Sequence, residues 1–239
     1  HSPSMKFIRS CSAPLAAKMM MDIEESFGIP VLEAYGMTEA AHQMASNPLP
    51  PALRKPGSVG CGTGVEIAIM DEEGGLLSVG QRGEIVIQGP NVIDGYEDNP
   101  EANASSFTNG WFRTGDEGSL NDDGYLTLTG RIKEQINRSG EKISPQEIDE
   151  LLLSHPAVGE AVCFGASHPT HGEEPEAAVV LNYDVTERDL VSYCRQHVAA
   201  YKVPRFIHIV PEIPKTATGK VQRRLVCLLY TSPSPRDAT

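Results

Sequence analysis

The hydrophobic pattern of the chain changes twice along its length, and each change limits the folds that the sequence can adopt. Residues 13–27 carry apolar side chains at helical spacing and end at Gly28, and the apolar segment IPVLEAYG follows as a predicted strand. A helix followed by a buried strand is typical of a layered α/β domain. The front of the chain is therefore predicted to be a fragment of such a domain.

Strict alternation of apolar and polar residues marks the second stretch, residues 56–131. Val65, Ile67 and Ile69 would share one face of a strand, and the turn sequences DEEGG and NDDGY separate further alternating runs. This stretch is predicted to be a β-rich subdomain with the form of a distorted barrel.

The pattern changes again after Arg131. Ser144 and Glu147 have the spacing of a capping box, with Pro145 at the first helical position, which predicts a helix that starts at Ser144. A second helix is predicted from Thr186. Strands are expected around these helices at residues 161–165, 177–182 and 205–210. The prediction for this part is a small α+β domain.

These patterns divide the chain into domains of residues 1–131 and 132–226, with the β-rich subdomain at 56–131. The opening HSPSMKFIRS leads directly into a predicted strand, as expected if the chain begins inside a domain. Residues 227–239 include a Pro/Ser-rich string without periodicity, so this tail is expected to be unstructured and is a candidate non-native extension.

Composition narrows the range of partners. A formal net charge of −12 argues against general affinity for nucleic acid or an anionic membrane, since both require clustered Lys and Arg. The five cysteines contain no CxxC pair, so neither a disulfide framework nor a zinc site is predicted, and a reducing compartment fits best. No apolar run approaches the roughly 20 residues of a membrane helix. A small-molecule substrate is the expected partner.

The segment EAYGMTEA places polar groups directly after a predicted strand, where α/β sheets bind ligands. The Thr38 hydroxyl could meet a phosphate oxygen, the Glu39 carboxylate could hold Mg²⁺, and the Tyr35 ring offers a face for adenine. The alternative is a plain strand-to-helix connection, in which Thr38 caps and Glu39 complements the helix dipole. The segment alone leaves both interpretations open.

Two further motifs carry candidate chemistry. In NGWFRTGD, Asp116 could accept hydrogen bonds from a ribose diol, although turn aspartates commonly bond their own backbone. Arg131 could also face the ribose, although a lone arginine is usually a solvated surface group. In PKTATGKVQRR, Lys220 could stabilise negative charge that develops when a carboxylate attacks a phosphate, although surface lysines are common.

The order in which the motifs occur is further evidence of function. APL, YGMTE, RKPGSVG, GEIVIQGPNVIDGY, GWFRTGD, GRIKEQINRSGEKISPQEIDE and PKTATGKVQRR occur in that order and span most of residues 4–225. The set resembles the adenylate-forming superfamily of acyl-CoA synthetases, adenylation domains and firefly luciferase. Within that superfamily, VLEAYGMTEAAHQMASNPLP is similar to the oxalate–CoA ligases of plants and fungi.

The resemblance implies a two-step reaction that uses ATP, Mg²⁺ and coenzyme A. A carboxylic acid and ATP would give an acyl-adenylate and pyrophosphate, and the CoA thiol would then displace AMP. The implied catalytic residues are Thr38, Glu39 and Lys220, with Glu39 as the metal ligand. The implied nucleotide- and CoA-binding residues are Ala13, Tyr35, Gly36, Met37, Asp116, Arg131, Ser139 and Gly140.

The same resemblance implies a moving C-terminal domain and a polar acid pocket. Lys133 would be the hinge about which that domain rotates between the two steps. Oxalate keeps one free carboxylate after activation, and Ser12 and His42 are the candidate donors for it. A histidine bonded only to the backbone is the alternative for His42.

The chain also departs from the family. The Gly/Ser/Thr-rich phosphate loop that precedes these motifs is absent, so the 239-residue chain alone is expected to be inactive. Asn137 stands where many relatives carry Lys, which puts a role there in the second step in doubt.

Other functions remain open from sequence. They are an aryl- or medium-chain acyl-CoA ligase, a carrier-protein adenylation domain and a non-catalytic nucleotide-binding homologue. The compartment is open between cytoplasm and peroxisome, and the oligomeric state is undetermined.

Overall fold

The computed structural model describes residues 5–11, 13–217 and 219–230. The chain divides into two compact units, His1–Ile132 and Lys133–Thr239, one residue from the predicted boundary. Each unit has its own sheets and buried clusters and is described by itself below.

The first unit opens with a four-stranded sheet and one helix. Its elements are strand β1 (Ile8–Ser10), helix α1 (Ala17–Phe27) and strands β2 (Val31–Tyr35), β3 (Ala45–Ser46) and β4 (Cys61–Gly62). The strand order is β1-β2-β3-β4, and β1 and β2 run parallel while the other pairs are antiparallel. The parallel pair with a connecting helix confirms the predicted α/β fragment.

Helix α1 is shorter than predicted at its start. The prediction of 13–27 was wrong there because the helix begins at Ala17, and the Leu15 N–H donates to the Glu33 carboxylate of β2 at 3.3 Å instead of entering the helix. Its end matches the prediction, since Gly28 takes a left-handed conformation with φ of 66°.

The second part of this unit is β-rich. Its elements are β5 (Glu66–Met70), β6 (Gly83–Gln88), helix α2 (Pro100–Ser106), β7 (Phe107–Thr108), β8 (Trp111–Leu120) and β9 (Leu126–Arg131). The strands form an antiparallel sheet in the order β5-β6-β8-β7, with β9 also on β8. Register shifts at Glu84/Val86 and Glu117/Gly118 increase its twist. A bridge between Gly60 and Leu126 joins β9 to the residue before β4.

In its described residues, the second unit is a five-stranded sheet with three α-helices. Its elements are β10 (Ile136–Arg138), β11 (Glu141–Ile143), α3 (Pro145–Leu153), β12 (Val158–His168), β13 (Gly172–Leu181), α4 (Glu187–His197), β14 (Ile207–Ile209) and α5 (Arg223–Tyr230). The order is β11-β10-β13-β12, and β14 lies parallel to β13. This is the predicted small α+β domain.

The middle residues of β12 and β13 are buried on both faces of the sheet. Alternate residues of β12 point to opposite sides, so Cys163 joins the cluster under α3 and α4, whereas Phe164 joins the cluster under α5. Ile148 of α3 and Leu190 of α4 are fully buried on the first side, and Val226 of α5 on the second. Helices on both faces therefore hold the sheet.

The predicted capping box at Ser144 was wrong, although α3 begins where expected. Ser144 is the N-cap residue and Pro145 follows it, but the Ser144 side chain makes no capping bond. The Glu147 carboxylate instead binds the Lys202 ammonium, with both oxygens 2.8 Å from Nζ. A capping box forms in α4, where the Thr186 hydroxyl accepts from the Asp189 N–H at 3.2 Å.

The prediction of an unstructured tail from residue 227 was also wrong at its beginning. Helix α5 continues to Tyr230, and the Tyr230 ring stacks on His208 with centroids 4.9 Å apart. The reason is helical spacing. Val226, which is buried, and Tyr230, which is partly buried, are four residues apart and lie on one face of α5. Cys227 also packs against the apolar cluster under the helix. Residues 231–239 lie outside the described part of the chain.

Among the described residues, no helix has the length and apolar character needed to cross a lipid bilayer.

Candidate functional site

The parallel strands β1 and β2 bring two loops to one edge of the first sheet. Ser10 pairs with Glu33, so both strands end at the same edge, and the residues that follow them emerge there together. Ala13 follows β1 and Gly36 follows β2, and the Leu15 contact to Glu33 holds the first loop against the second strand. This edge is the kind of site at which open α/β sheets bind ligands.

Tyr35, Asp116 and Arg131 form one hydrogen-bonded cluster. The Tyr35 hydroxyl donates to Asp116 Oδ2 at 2.5 Å, and Arg131 Nε lies 3.2 Å from Asp116 Oδ1. Asp116 and Arg131 are directly opposite in the pairing of β8 and β9, which explains why their side chains meet. The sequence named all three residues, and the structure brings them together.

The cluster differs in burial from one side to the other. The Asp116 side chain is only 9% exposed, whereas the Arg131 side chain is 67% exposed. The guanidinium can therefore reach a ligand in solution. The carboxylate is fixed, because each of its oxygens already has a partner, yet a carboxylate offers about four lone-pair sites and can accept further hydrogen bonds.

Burial raises the pKa of the Tyr35 hydroxyl, and the adjacent Asp116 carboxylate raises it further. A phenolate beside a carboxylate would place two negative charges in a poorly solvated position. Tyr35 therefore stays protonated and serves Asp116 as a permanent hydrogen-bond donor. Its polar contact with Asp116 is a role that the sequence interpretation, which assigned the ring to adenine, did not include.

The loop after Tyr35 contains a short 3-10 turn, Thr38–Ala40, that is tied to the β-rich part of the unit. The Ile93 N–H donates to the Glu39 carbonyl at 2.8 Å, and the Asn91 side chain donates to the Ala40 carbonyl at 2.9 Å. The Thr38 side chain is exposed at the start of this turn. The backbone is thus held while the hydroxyl is left accessible.

Glu39 has a side-chain partner that sequence reasoning missed. The Tyr96 hydroxyl donates to Glu39 Oε1 at 3.0 Å. Burial raises the pKa of Tyr96, and its hydrogen bond to Glu39 adds to that shift. Tyr96 is the last residue of the motif GPNVIDGY, so that motif could have identified it as a candidate site residue. Its contact with Glu39 could not be predicted from sequence, because the two residues are 57 positions apart.

His42 and Gly36 meet across the same loop. A Cβ on Gly36 would lie 2.0 Å from the His42 carbonyl oxygen, so only glycine fits there. His42 has a φ of 73°, and its N–H donates to the Met37 carbonyl at 2.9 Å. The backbone of His42 is fixed by these contacts, and its side chain is exposed.

In the second unit, Ser139 and Gly140 form the turn between β10 and β11, with φ of 53° and 94°. The Ser139 hydroxyl lies 2.8 Å from His171 Nδ1, and its N–H donates to the His171 carbonyl at 2.8 Å. The Gly140 N–H donates to Asn137 Oδ1 at 2.9 Å. These contacts fasten the turn to the residues between β12 and β13.

The residues beside this turn form a cluster around Glu174. His168 Nε2 and His171 Nε2 lie 3.8 Å and 3.9 Å from its carboxylate, a spacing that could suit a metal ion. Arg138 and Arg205 also approach it, at 3.0 Å and 3.7 Å. Two guanidinium groups on the same carboxylate oppose a further cation, so the cluster is better suited to hold the turn.

Lys220 lies in an exposed loop of the second unit. The Lys220 N–H donates to Thr216 Oγ1 at 3.1 Å, and the Thr216 N–H donates to the Lys220 carbonyl at 2.8 Å. Lys133 is exposed and is the first residue of this unit, beside the division of the chain. Ser12 lies outside the described residues.

Known proteins with similar sequences share both parts of the chain. Residues 1–97 match the protein family described as "AMP-binding enzyme". Residues 147–220 match the family described as "AMP-binding enzyme C-terminal domain". An oxalate–CoA ligase of Arabidopsis thaliana is 53% identical over 94% of this chain and 44% of its own length. A probable CoA ligase of Humulus lupulus is 55% identical over 94% of this chain and 43% of its own length.

Solved structures agree with the sequence comparison. The ATP-bound MatB of Rhodopseudomonas palustris matches with a TM-score of 0.88 and 34% identity, over 94% of this chain and 45% of that protein. The chain thus spans less than half the length of the curated relatives and of this structural match.

Replacement of Gly36 by Ala should destabilise the first unit. The added Cβ collides with the His42 carbonyl, so the loop must shift, at a cost of about 1–3 kcal/mol in the free energy of unfolding. Urea denaturation of the chain measures the change. Gly165→Ala is the control, since its Cβ would make ordinary contacts at 3.4 Å. Equal effects of the two substitutions would contradict the close approach.

Replacement of Tyr35 by Phe should destabilise the chain by about 1.5–3 kcal/mol near neutral pH, because Asp116 loses a hydrogen bond. Above about pH 10 the unfolded Tyr35 ionises while the folded one does not, so the wild type alone loses this contribution as pH rises. The difference in unfolding free energy should therefore shrink between about pH 8 and about pH 11. A difference that grows over this range would refute the raised pKa.

Proposed function

Because this chain belongs to the AMP-binding enzyme family, we propose that it is part of an acid–CoA ligase that forms an acyl-adenylate and then an acyl-CoA thioester. The observation that carries the proposal is the cluster of Tyr35, Asp116 and Arg131, which presents a fixed carboxylate and an exposed guanidinium beside the loop at the edge of the first sheet. The identity of 53% to an oxalate–CoA ligase supports the reaction class.

In the first step, a carboxylate oxygen of the acid attacks the α-phosphorus of ATP. The bond from that phosphorus to pyrophosphate breaks, and an acyl-adenylate forms. Asp116 would accept hydrogen bonds from the ribose hydroxyls, and Arg131 would bind the same sugar. Ala13, Tyr35, Gly36 and Met37 would border the adenine and the acid. The Thr38 hydroxyl would meet a phosphate oxygen, and the Lys220 ammonium would stabilise the charge on the leaving group.

The site suits the magnesium ion that accompanies ATP. Mg²⁺ favours one or two protein carboxylates together with substrate phosphates, and Glu39 offers such a carboxylate next to Thr38, held by Tyr96. Bound there, the ion would neutralise phosphate charge. The protein's part is to hold Glu39 in place through Tyr96 and through the Ile93 contact to its carbonyl.

In the second step, the CoA thiol loses its proton, its sulfur bonds to the acyl carbonyl carbon, and the bond from that carbon to the phosphate oxygen of AMP breaks. Rotation about Lys133 would withdraw Lys220 and bring the turn of Ser139 and Gly140 to the pantetheine, because one face cannot serve both pyrophosphate and a thiol. Gly140 has no side chain to obstruct the close passage of a thiol arm. The contacts from His171 would keep this turn rigid.

We propose oxalate as the acid. Two curated relatives named oxalate–CoA ligase, from Arabidopsis thaliana and Saccharomyces cerevisiae, are 53% and 48% identical to this chain. The free carboxylate of oxalate needs a polar partner, and the exposed His42 side chain on its fixed backbone is the candidate among the described residues, with Ser12 as a second candidate on sequence grounds.

The test uses the full-length protein that contains this chain. The acid panel contains oxalate, malonate, benzoate and octanoate, each with MgATP and CoA, and both pyrophosphate release and thioester formation are measured. We expect oxalate to give the highest kcat/KM. Preference for benzoate or octanoate would contradict the acid assignment, and pyrophosphate release without thioester would favour a carrier-protein adenylation domain. No activity with any acid would favour a non-catalytic nucleotide-binding protein.

A substitution at His42 tests the specificity within the same assay. His42→Gly should raise the KM for oxalate about tenfold, as expected when one hydrogen bond to a charged group is lost. Glycine tolerates the left-handed backbone, so the loop should be retained. Ala41→Gly, at the neighbouring residue with positive φ, is the matched control and should leave KM unchanged. An unchanged KM in His42→Gly would remove His42 from the pocket.

A further inference from the structure

Arg223, the first residue of α5, binds side chains and backbone from three separate segments of the second unit. Its guanidinium lies 2.8 Å from Asp149 Oδ2 of α3 and 2.9 Å from Glu134 Oε2, and it also donates to the Cys163 carbonyl of β12. One side chain therefore joins the start of the unit, helix α3, strand β12 and the beginning of α5.

The contact with Asp149 is enclosed and geometrically fixed. The side chains of Arg223 and Asp149 are 21% and 14% exposed. Asp149 Oδ1 also accepts from the Cys163 N–H at 2.5 Å, so the three residues form a closed ring of hydrogen bonds. Burial raises the pKa of the Asp149 carboxyl, and the Arg223 guanidinium opposes that shift. Such a ring resists displacement, because separating Arg223 from Asp149 leaves a largely buried charge without its partner.

The loop that carries Lys220 is closed mainly upon itself. Besides the two hydrogen bonds between Thr216 and Lys220, the Gln222 N–H donates to the Pro214 carbonyl at 2.9 Å. The backbones of Lys215 and Val221 also pair as an isolated antiparallel β-bridge. An ion pair of 2.7 Å between Lys215 and Glu160 also ties the start of the loop to β12. The internal bonds hold the described residues of the loop together, so its orientation depends on this ion pair and on the residues at its base.

Those bases are Ile213 on one side and Arg223 on the other. Ile213 is buried in the apolar cluster under α5. Because apolar contacts are not directional, this burial holds the base of the loop against the sheet without setting the orientation of the loop. Arg223 stands three residues after Lys220 and supplies directional bonds. Its partner Glu134 follows Lys133, where the unit begins, so Arg223 connects the lysine loop with the segment that enters the unit.

We propose that Arg223 is a positioning residue for Lys220, which fixes the lysine loop to α3, β12 and the Glu134 segment so that they move together. This inference rests on the proposed function, in which Lys220 acts in the adenylation step. The second step instead uses the turn of Ser139 and Gly140, which is fastened separately by His171. Loss of Arg223 should therefore impair the first step and spare the second.

The half-reactions are measured separately in the full-length protein. Adenylation is followed by oxalate-dependent exchange of pyrophosphate into ATP, and thioester formation is followed from supplied acyl-adenylate and CoA. Arg223→Met should lower the kcat of exchange about 100-fold, the size of effect that a misplacement of about 1 Å can cause. Thioester formation should stay within about threefold of the wild type, since its turn is untouched. Arg188→Lys, at an exposed arginine in the first turn of α4, is the control.

Two outcomes would overturn the inference. One is an exchange rate in Arg223→Met equal to that of the wild type, and the other is an equal loss in both half-reactions, which indicates a general structural role. If Arg223→Met fails to fold, Glu134→Gln decides, because Glu134 is 42% exposed and its removal leaves the ring with Asp149 intact. That variant should also lose exchange selectively, and a parallel loss in both steps would contradict the proposal.

A structural measurement checks the same point without catalysis. Hydrogen exchange at the amides of Thr216, Lys220 and Gln222 should accelerate in Arg223→Met, because the base of the loop loses its directional anchor. Unchanged protection would contradict positioning.

Lys220→Ala separates this inference from the function on which it rests. If Lys220→Ala retains exchange, the proposed role of the lysine fails. If Lys220→Ala loses exchange while Arg223→Met retains it, only the inference about Arg223 fails.

Discussion

The bond between the Tyr35 hydroxyl and the Asp116 carboxylate is the interaction on which the first unit's site depends. Tyr35 ends a strand of the first sheet and Asp116 lies in the middle of a strand of the second, so their contact joins the two sheets of the unit. Arg131, opposite Asp116, completes the charge balance. A buried carboxylate needs both partners, and together they hold it where a ligand can use its remaining lone pairs.

The second unit follows a similar physical rule with different residues. Arg223 stands at the base of the lysine loop and binds three other segments, whereas His171 holds the turn of Ser139 and Gly140 at Ser139 itself. Such contacts limit the conformational freedom that each loop would have to lose on binding a ligand. The middle of the sheet beneath them is buried on both faces, which gives both fastenings a rigid support.

Much of the fold was predictable, because apolar spacing reports directly on helices and strands, and Gly28 marked the end of α1 as expected. Competition among polar groups was not visible. Glu147 was predicted to cap α3, yet it binds Lys202, 55 residues away. Tyr96 and Glu39 meet for the same reason of tertiary placement, which spacing along the chain does not encode.

In the candidate site too, the residues could be predicted from sequence but their contacts could not. Asp116 and Arg131 were identified separately by motif, but their contact depends on the register of β8 and β9, which a shift at Glu117/Gly118 alters.

Binding of ATP and of 2′,3′-dideoxy-ATP to the full-length protein and to its Asp116→Asn variant tests most directly the claim that Asp116 binds the ribose. Loss of the sugar hydroxyls should weaken binding roughly 10- to 100-fold in the wild type and much less in Asp116→Asn. The same ratio in both proteins would show that Asp116 does not bind the ribose.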